Sequence, residues 1–480
     1  MFFNKRETDT MNIKKIFKQI LPEQIVNSIK YLYSFVPIEK RMGKDYSQLK
    51  SFIKDAQFWD RDRIQEWQLK KLKKIVRYAY DNVPGYHLLY RDAGVSPEAI
   101  FTLQDIALLP CITKEIIREN LDDFTSRKIP RSKLIFATTG GSSGIPLGFY
   151  HTPTNVWMEN AFMHSGWERV GWRLGDSSAV LRGTFRGSKD RLWKREPISN
   201  EIHLSSYFLS GKYYNDYFSI LDKYKPLHLQ AYPSAAILLS DLIIKNNDIG
   251  KIVFNCIFLG SENIYDWQKK RIATAFPTAK VFGWYGHTEQ NILAPMCEYS
   301  TQYHLWPFYG MTEILNESRK PATQGELGEL VGTSFWSYGT PFIRYKTGDL
   351  AEKGASSCPL CNRQFDMIQR IEGRNQEFVI ASDGTFITLT ALIFAQHFHA
   401  FNDINTMQLH QKAVGEVTVN IIPTNRFSEE DAQEIKSKME SAASGRLQVY
   451  ITIAEEIQRT PRGKQPFLLQ ELNIDWENRR

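Results

Sequence analysis

The chain has 480 residues, 42% hydrophobic and 24% charged. That is a globular composition, and the chain is longer than the roughly 250 to 300 residues at which single cores stop growing, so two or more domains are expected. The net charge of +7 is spread along the chain, without the compact basic stripe and interleaved aromatics that would point to nucleic acid. No apolar run approaches the roughly 18 to 20 residues needed to span a bilayer. Five cysteines without a signal-peptide pattern imply a reducing, cytoplasmic setting and no disulfide framework.

Met1 to Lys44 alternates basic and apolar residues, with Ile13, Ile16, Phe17, Ile20 and Leu21 on one helical face and Met11 as an alternative start. Such a helix packs on the protein's own body or on a second subunit, giving a homodimer, or lies peripherally on an anionic membrane. Asp60 to Asn120 reads as helical, with Trp67, Leu69, Leu72, Ile75 and Val76 at helical spacing before the breaker Val83-Pro-Gly85. From Leu134 to Ile371 short buried strands mix with helices: Ile252 to Leu259 is a nearly continuous apolar run, and Ala235 to Ile244 is helix-like. The alternation predicts an α/β core. Beyond Arg374 the rhythm changes. Phe378 to Ala381 and Phe386 to Leu389 flank a Ser382-Asp-Gly384 hairpin turn. A helix near Ala391 to Phe398, strands near Met407 to Leu409 and Glu416 to Ile422, a helix from Glu429 to Ala443 and a strand at Val449 to Ile453 follow. The expected division is 1–133, a helical part of a large domain; 134–373, the α/β core of that domain; and 374–480, a small α+β domain.

Phe136-Ala-Thr-Thr-Gly-Gly-Ser-Ser-Gly-Ile-Pro-Leu-Gly148 concentrates phosphate donors. It is not a Walker loop, because Ile145 and Pro146 stand where the lysine and the start of a helix belong. Thr138, Thr139, Ser142 and Ser143 offer hydroxyls, while Gly140, Gly141 and Gly144 let backbone N–H groups turn toward an anion. Taken alone such a loop is a linker. Four further segments follow it in order: Trp284-Tyr-Gly-His-Thr-Glu289, Tyr345-Lys-Thr-Gly-Asp349, Arg370-Ile-Glu-Gly-Arg374 and Arg459-Thr-Pro-Arg-Gly-Lys464. Together the five resemble the adenylate-forming superfamily of acyl-CoA synthetases from about Phe136 to Lys464. Within it the chain is most similar to the phenylacetate-CoA ligase group, including CapK-type proteins associated with capsular polysaccharide synthesis.

The resemblance implies a large N-terminal domain, a mobile C-terminal lid, and attack of a carboxylate oxygen on the α-phosphorus of ATP with release of pyrophosphate. Charge then concentrates on phosphate oxygens and has to be neutralised. Thr138 to Gly144 would hold the phosphates; Glu289, a hard oxygen ligand, suits Mg2+; Thr288 would donate to the α-phosphate. Asp349 suits two ribose hydroxyls, helped by Arg374, and Tyr285 lies against the adenine with the Gly260-Ser261-Glu262 turn as the opposite wall. Lys464 matches the lid lysine that bridges carboxylate and α-phosphate. Gln376 departs from the family, which commonly has Asp or Lys at this lid pivot, and that puts the second half-reaction in question.

Tyr232, Pro233, Ala236 and Trp284 are candidate linings of the acyl pocket, and the aromatic fraction of 13% hints at an aryl or other flat acid. Cys358-Pro-Leu-Cys361 has the spacing of a metal knuckle, as against two unrelated surface cysteines, and the resemblance implies that Cys297 and His304 would complete a structural Cys₃His site for Zn2+. Three functions follow from this reading. One is a ligase that activates a small carboxylic acid and passes it to coenzyme A. The second passes it to an amine, such as an amino sugar or amino acid in polysaccharide tailoring. The third is a non-catalytic binding protein on the same fold.

Overall fold

The computed structural model describes residues 23–139, 147–183, 185, 187–262, 264, 266–372, 378–394, 396, 398–458 and 467–472. The helical face expected at Ile13 to Leu21 therefore lies outside the described residues. The first described helices are α1 (Glu23–Ser34), α2 (Ile38–Met42), α3 (Lys44–Ala56), α4 (Arg61–Asn82), α5 (Pro84–Asp92) and α6 (Lys114–Glu119). α1 docks on the body through a Lys30–Glu196 ion pair and turns Ile25, Ile29 and Leu32 outward. Asp60 caps α4 by accepting from the Arg63 N–H at 2.8 Å. Ile64, Leu72, Ile75, Val76 and Ala79 form its buried stripe. Pro84 stops it at Val83 and starts α5 in the same stroke, because its ring is tolerated at the first position of a helix and not inside one.

Strands β1 (Ile135–Thr138) and β2 (Gly148–His151) form an antiparallel hairpin, followed by α7 (Pro153–Glu168). The main sheet then assembles from β3 (Ser178–Leu181), β4 (Trp193–Glu196), β5 (Glu201–Leu204), β6 (His228–Ala231), β7 (Cys256–Leu259), β8 (Lys280–Gly286) and β9 (Leu293–Pro295), in the spatial order β4-β5-β3-β6-β7-β8-β9. Its centre, β5-β3-β6-β7-β8, is parallel. The central β3, β6 and β7 are buried along their whole length, and α8 (Tyr214–Tyr224), α9 (Pro233–Lys245) and α10 (Asp266–Ala275) alternate with β5, β6, β7 and β8 along the chain. The apolar run from Ile252 is longer than its strand. Ile252 and Phe254 are buried, Val253 is exposed, and the strand begins only at Cys256, after the Asn255 N–H reaches the Leu227 carbonyl at 2.8 Å.

A second sheet contains β10 (Tyr303–His304), β11 (Gly310–Leu315), β12 (Leu327–Ser334), β13 (Tyr345–Lys353) and β14 (Met367–Glu372), ordered β10-β14-β13-β12-β11. The hairpin β15 (Phe378–Ile380) and β16 (Phe386–Thr388) turns through Gly384 at φ 77°, as its Ser-Asp-Gly signal requires. The last sheet comprises β17 (Ile404–Gln411), β18 (Glu416–Pro423), β19 (Gln448–Ile453) and β20 (Leu468–Gln470), with α11 (Glu429–Ala442) before β19. One expected helix is shorter than its apolar pattern: Thr390–Phe394 is a single π-type turn. The Ala391 carbonyl that would extend it accepts instead from the Gln396 side chain at 2.9 Å and the Tyr207 hydroxyl at 3.1 Å. A single apolar cluster runs from Leu181, Leu229 and Leu259 of the main sheet to Leu392, Leu409 and Val449 of the carboxyl-terminal region. Buried Arg446 fastens that region further, donating to the Tyr207 carbonyl and, at 3.0 Å, to Asp383.

Candidate functional site

The expected phosphate loop is carried by the β1–β2 hairpin. Thr139 closes its neck: its N–H donates to the Leu147 carbonyl at 2.9 Å, and its hydroxyl oxygen accepts from the Leu147 N–H at 2.8 Å. Thr138 and Thr139 are both buried. Gly140, Gly141, Ser142, Ser143 and Gly144 lie outside the described residues, as do Arg374, Gln376 and Lys464.

The hairpin is tied to the second motif. At the end of β2, His151 Nε2 lies 2.9 Å from the Thr288 carbonyl oxygen. Burial pushes the imidazole down to about 4, so it is neutral and donates this bond near pH 7. Thr288 and Glu289 sit in a tight turn closed by the Gln290 N–H to the His287 carbonyl at 3.0 Å, with Gln290 at φ 54°. The turn exposes Thr288 and buries Glu289. Glu289 Oε1 accepts from the Tyr345 hydroxyl at 3.0 Å.

Asp349 is positioned from the other side. The β12–β13 register shifts between Glu329 and Val331; Gly348 takes φ 75° there, and the Thr347 hydroxyl bonds to the Leu330 carbonyl at 2.8 Å while accepting from the Asp349 N–H at 3.1 Å. This bulge presents the Asp349 carboxylate to the Tyr285 hydroxyl, 2.9 Å away. Burial first, and then the Asp349 carboxylate, hold the Tyr285 phenol far above its ordinary range. Burial and then Glu289 do the same for Tyr345. Each phenol also feels the other's carboxylate, so Glu289 and Asp349 share one crevice: two acidic groups, each gripped by a phenolic O–H.

Beside that crevice Trp284 covers Gly260 so closely that a Cβ there would lie 2.5 Å from the indole. Ser261 follows at φ 69°. Burial raises the Tyr232 phenol, Arg182 pulls it down and Glu262 pushes it up, which places all three at one locus. Pro233 starts α9, while Ala236, one turn in, is fully buried within the apolar cluster. The structure adds two residues to this neighbourhood. Tyr345 belongs to the Tyr345-Lys-Thr-Gly-Asp349 motif, whose resemblance gives it no role. Arg182 had no motif at all, and its signal was a lone cation at the end of the buried strand Ser178–Leu181.

Away from the crevice, Cys297, His304, Cys358 and Cys361 are all buried, with their ligand atoms within 4.8 Å of one another. Cys297 Sγ and Cys358 Sγ are 3.8 Å apart, and Cys361 Sγ is 3.4 Å from His304 Nε2. Burial first, then Arg169 and Arg363, push His304 down to about 2, leaving a neutral imidazole. Arg169 is buried against His304 Nδ1 at 3.2 Å, and its Nε and Nη2 have no hydrogen-bond acceptor among the described residues.

Residues 379–471 match the family model of the CapK C-terminal domain. Protein CapK of Staphylococcus aureus is 25% identical over 413 residues, covering 85% of this chain and 89% of its own. The phenylacetate-coenzyme A ligase of Pseudomonas putida is 24% identical over 328 residues, covering 66% and 72%. The chain is a relative of CapK and the phenylacetate-CoA ligases. The fold agrees: 2-hydroxyisobutyryl-CoA ligase in its postadenylation state superimposes with a TM-score of 0.56 at 19% identity, covering 86% of this chain and 91% of that one. This CapK relative therefore has the mixed α/β fold of the adenylate-forming ligases, including a carboxyl-terminal domain.

Proposed function

We propose that the protein is an AMP-forming carboxylate ligase that activates a small carboxylic acid with ATP and passes the acyl group to coenzyme A. The observation that carries this reading is the pairing of Tyr285 with Asp349 and of Tyr345 with Glu289 in one crevice beside the Thr138–Thr139 hairpin. A ligand with a sugar diol at one end and polyphosphate at the other needs acceptor groups and anion donors so arranged. Asp349 is the acceptor for ribose hydroxyls, with Arg374 at the same sugar; Tyr285 and the Gly260-Ser261-Glu262 turn flank the base; Glu289 is the residue to hold Mg2+, which would screen phosphate charge.

In the first half-reaction a carboxylate oxygen of the acid attacks the α-phosphorus. The bond from that phosphorus to the bridging oxygen breaks, and pyrophosphate leaves with the electron pair. Exposed Thr288 offers its hydroxyl to the α-phosphate, and Lys464 supplies the charge that joins the two anionic reactants. In the second half-reaction a thiol sulfur replaces AMP on the acyl carbon. Gln376 at the lid pivot, together with the CapK C-terminal domain, keeps an amine acceptor as the second reading.

The cysteine cluster fits Zn2+ as a structural ion. Zinc–sulfur bonds of about 2.3 Å in a tetrahedron set sulfur atoms about 3.8 Å apart, the separation of Cys297 and Cys358. Three thiolates and one Zn2+ carry a net negative charge, which would add to the Glu298 carboxylate in balancing buried Arg169. Such a site would pin the Cys358–Cys361 loop, between β13 and β14, to the main body.

ATP–pyrophosphate exchange against aryl, short-chain, hydroxy and amino acids, with Mg2+ and no acceptor, tests the reading. Acid-dependent exchange supports it, and thiol or amine acceptors then decide the second step. Silence across the panel with ATP still bound would leave the binding-protein reading.

A further inference from the structure

We propose that the acid this protein activates carries a second anionic group, which Arg182 recognises. This rests on the acid-activating reading above and names its substrate class. Sheet topology puts Arg182 at a ligand-binding position. β3 has parallel neighbours on both sides, β5 and β6; the chain leaves β3 toward the β5 side and then crosses back to build β6, β7 and β8 on the other. In such sheets ligands bind outside the carboxyl ends of the strands where the winding reverses. Here that place lies between β3 and β6, and the residues immediately after those strands are Arg182 and Tyr232.

The Arg182 guanidinium lies 5.8 Å from the centre of the Tyr232 ring and 5.3 Å from that of Trp284. Arg182 is half-buried, with the two rings flanking it. Its hydrogen bond is Nη2 to the Ser261 hydroxyl at 3.0 Å, a neutral partner, and no carboxylate among the described residues forms an ion pair with it. Glu262 also raises the Tyr232 phenol by its charge and has an interaction of its own. The anchor is itself rigid. Ser261 is held in a left-handed conformation, and Trp284 leaves no space for a Cβ at Gly260. A guanidinium has five N–H donors in a planar fork, and one committed bond that fixes its plane leaves the others for a second oxyanion. Carboxylate and phosphonate share that chemistry, whereas a neutral ring offers it nothing.

The test uses the full-length protein and compares ATP–pyrophosphate exchange for a matched ring series: benzoate, 3-carboxybenzoate, 3-phosphonobenzoate and 3-aminobenzoate. The wild type is expected to prefer the two acids with a second anion by about tenfold or more in kcat/KM. Arg182→Gln should cut those two by about 10- to 100-fold, the range of a charge-assisted hydrogen bond, while benzoate stays within about threefold. Arg182→Lys should retain part of the preference, which separates charge recognition from a folding defect. The preferred member of the anionic pair tells carboxylate from phosphonate. Preference for benzoate or the amino acid, an equal loss for all four acids, or a change confined to the KM for ATP would overturn the inference and leave adenylation standing. No exchange with any acid, while ATP binding is retained, would overturn both.

Discussion

Two clusters of reactive side chains lie along the β13–β14 segment, and they are built on opposite plans. In the crevice, Glu289 and Asp349 are each held by one phenolic O–H, and both phenols sit on the flanking strands. Hydrogen bonds of this kind set direction yet exchange easily, which suits groups that must meet a substrate and release it. In the knuckle, four buried side chains from three stretches of chain converge within 4.8 Å, which on a four-coordinate Zn2+ would leave no open position for a substrate. The difference teaches that reactivity of residue type is a poor guide to role. The cysteines and the histidine are the stronger nucleophiles and ligands, yet in the function proposed above their closed cluster is a fastening, and chemistry falls to oxygen groups at the mouth of a sheet.

The contrast breaks most directly through the two largest expected effects. Cys358→Ser should abolish stoichiometric zinc by metal analysis and lower unfolding stability by about 3 kcal/mol. Exchange activity per folded molecule should stay within about threefold. If exchange vanished while the protein remained folded, the cluster would be part of the chemistry. Lys464→Ala is the reverse experiment. It should reduce ATP–pyrophosphate exchange by about a hundredfold or more with an unchanged thermal midpoint, and undiminished exchange would remove Lys464 from the reaction.

Asp349→Asn sharpens the picture within the crevice. The amide keeps the size and loses the charge, so the KM for ATP should rise by about 30-fold, with the metal content untouched. Why this aspartate was legible in the sequence, and other residues were not, is a matter of range. Thr-Gly-Asp, Cys-x-x-Cys and the Thr/Gly/Ser loop are contiguous, so each pattern is visible within a few residues of sequence. Val83-Pro84 and Ser382-Asp-Gly384 were readable for the same reason. Arg182 is 50 residues from Tyr232 and 102 from Trp284, and only the closing of the parallel sheet brings the three together; nothing local distinguishes it from a surface arginine. The apolar pattern misled in a complementary way. Ile252 to Cys256 and Ala391 to Phe398 have suitable side chains, and in the second the Ala391 carbonyl is taken by Tyr207, a partner remote in sequence.

The smallest expected effect is also the most specific to the crevice. Tyr345→Phe removes one oxygen, the one that donates to Glu289 at 3.0 Å, and leaves a ring of the same shape packed against Phe342. Tyr345 is 2% exposed, so the ring should stay in place and stability should change by less than about 1 kcal/mol. Glu289, no longer aimed, should hold Mg2+ in a broader set of orientations. The Mg2+ concentration giving half-maximal exchange should then rise by about five- to tenfold, while the KM of the acid stays fixed. A rise in the acid's KM with no Mg2+ effect would mean that Tyr345 faces the acyl group. Glu289 would then lose its place as the metal's ligand, and the crevice would be divided differently between phosphate and acid.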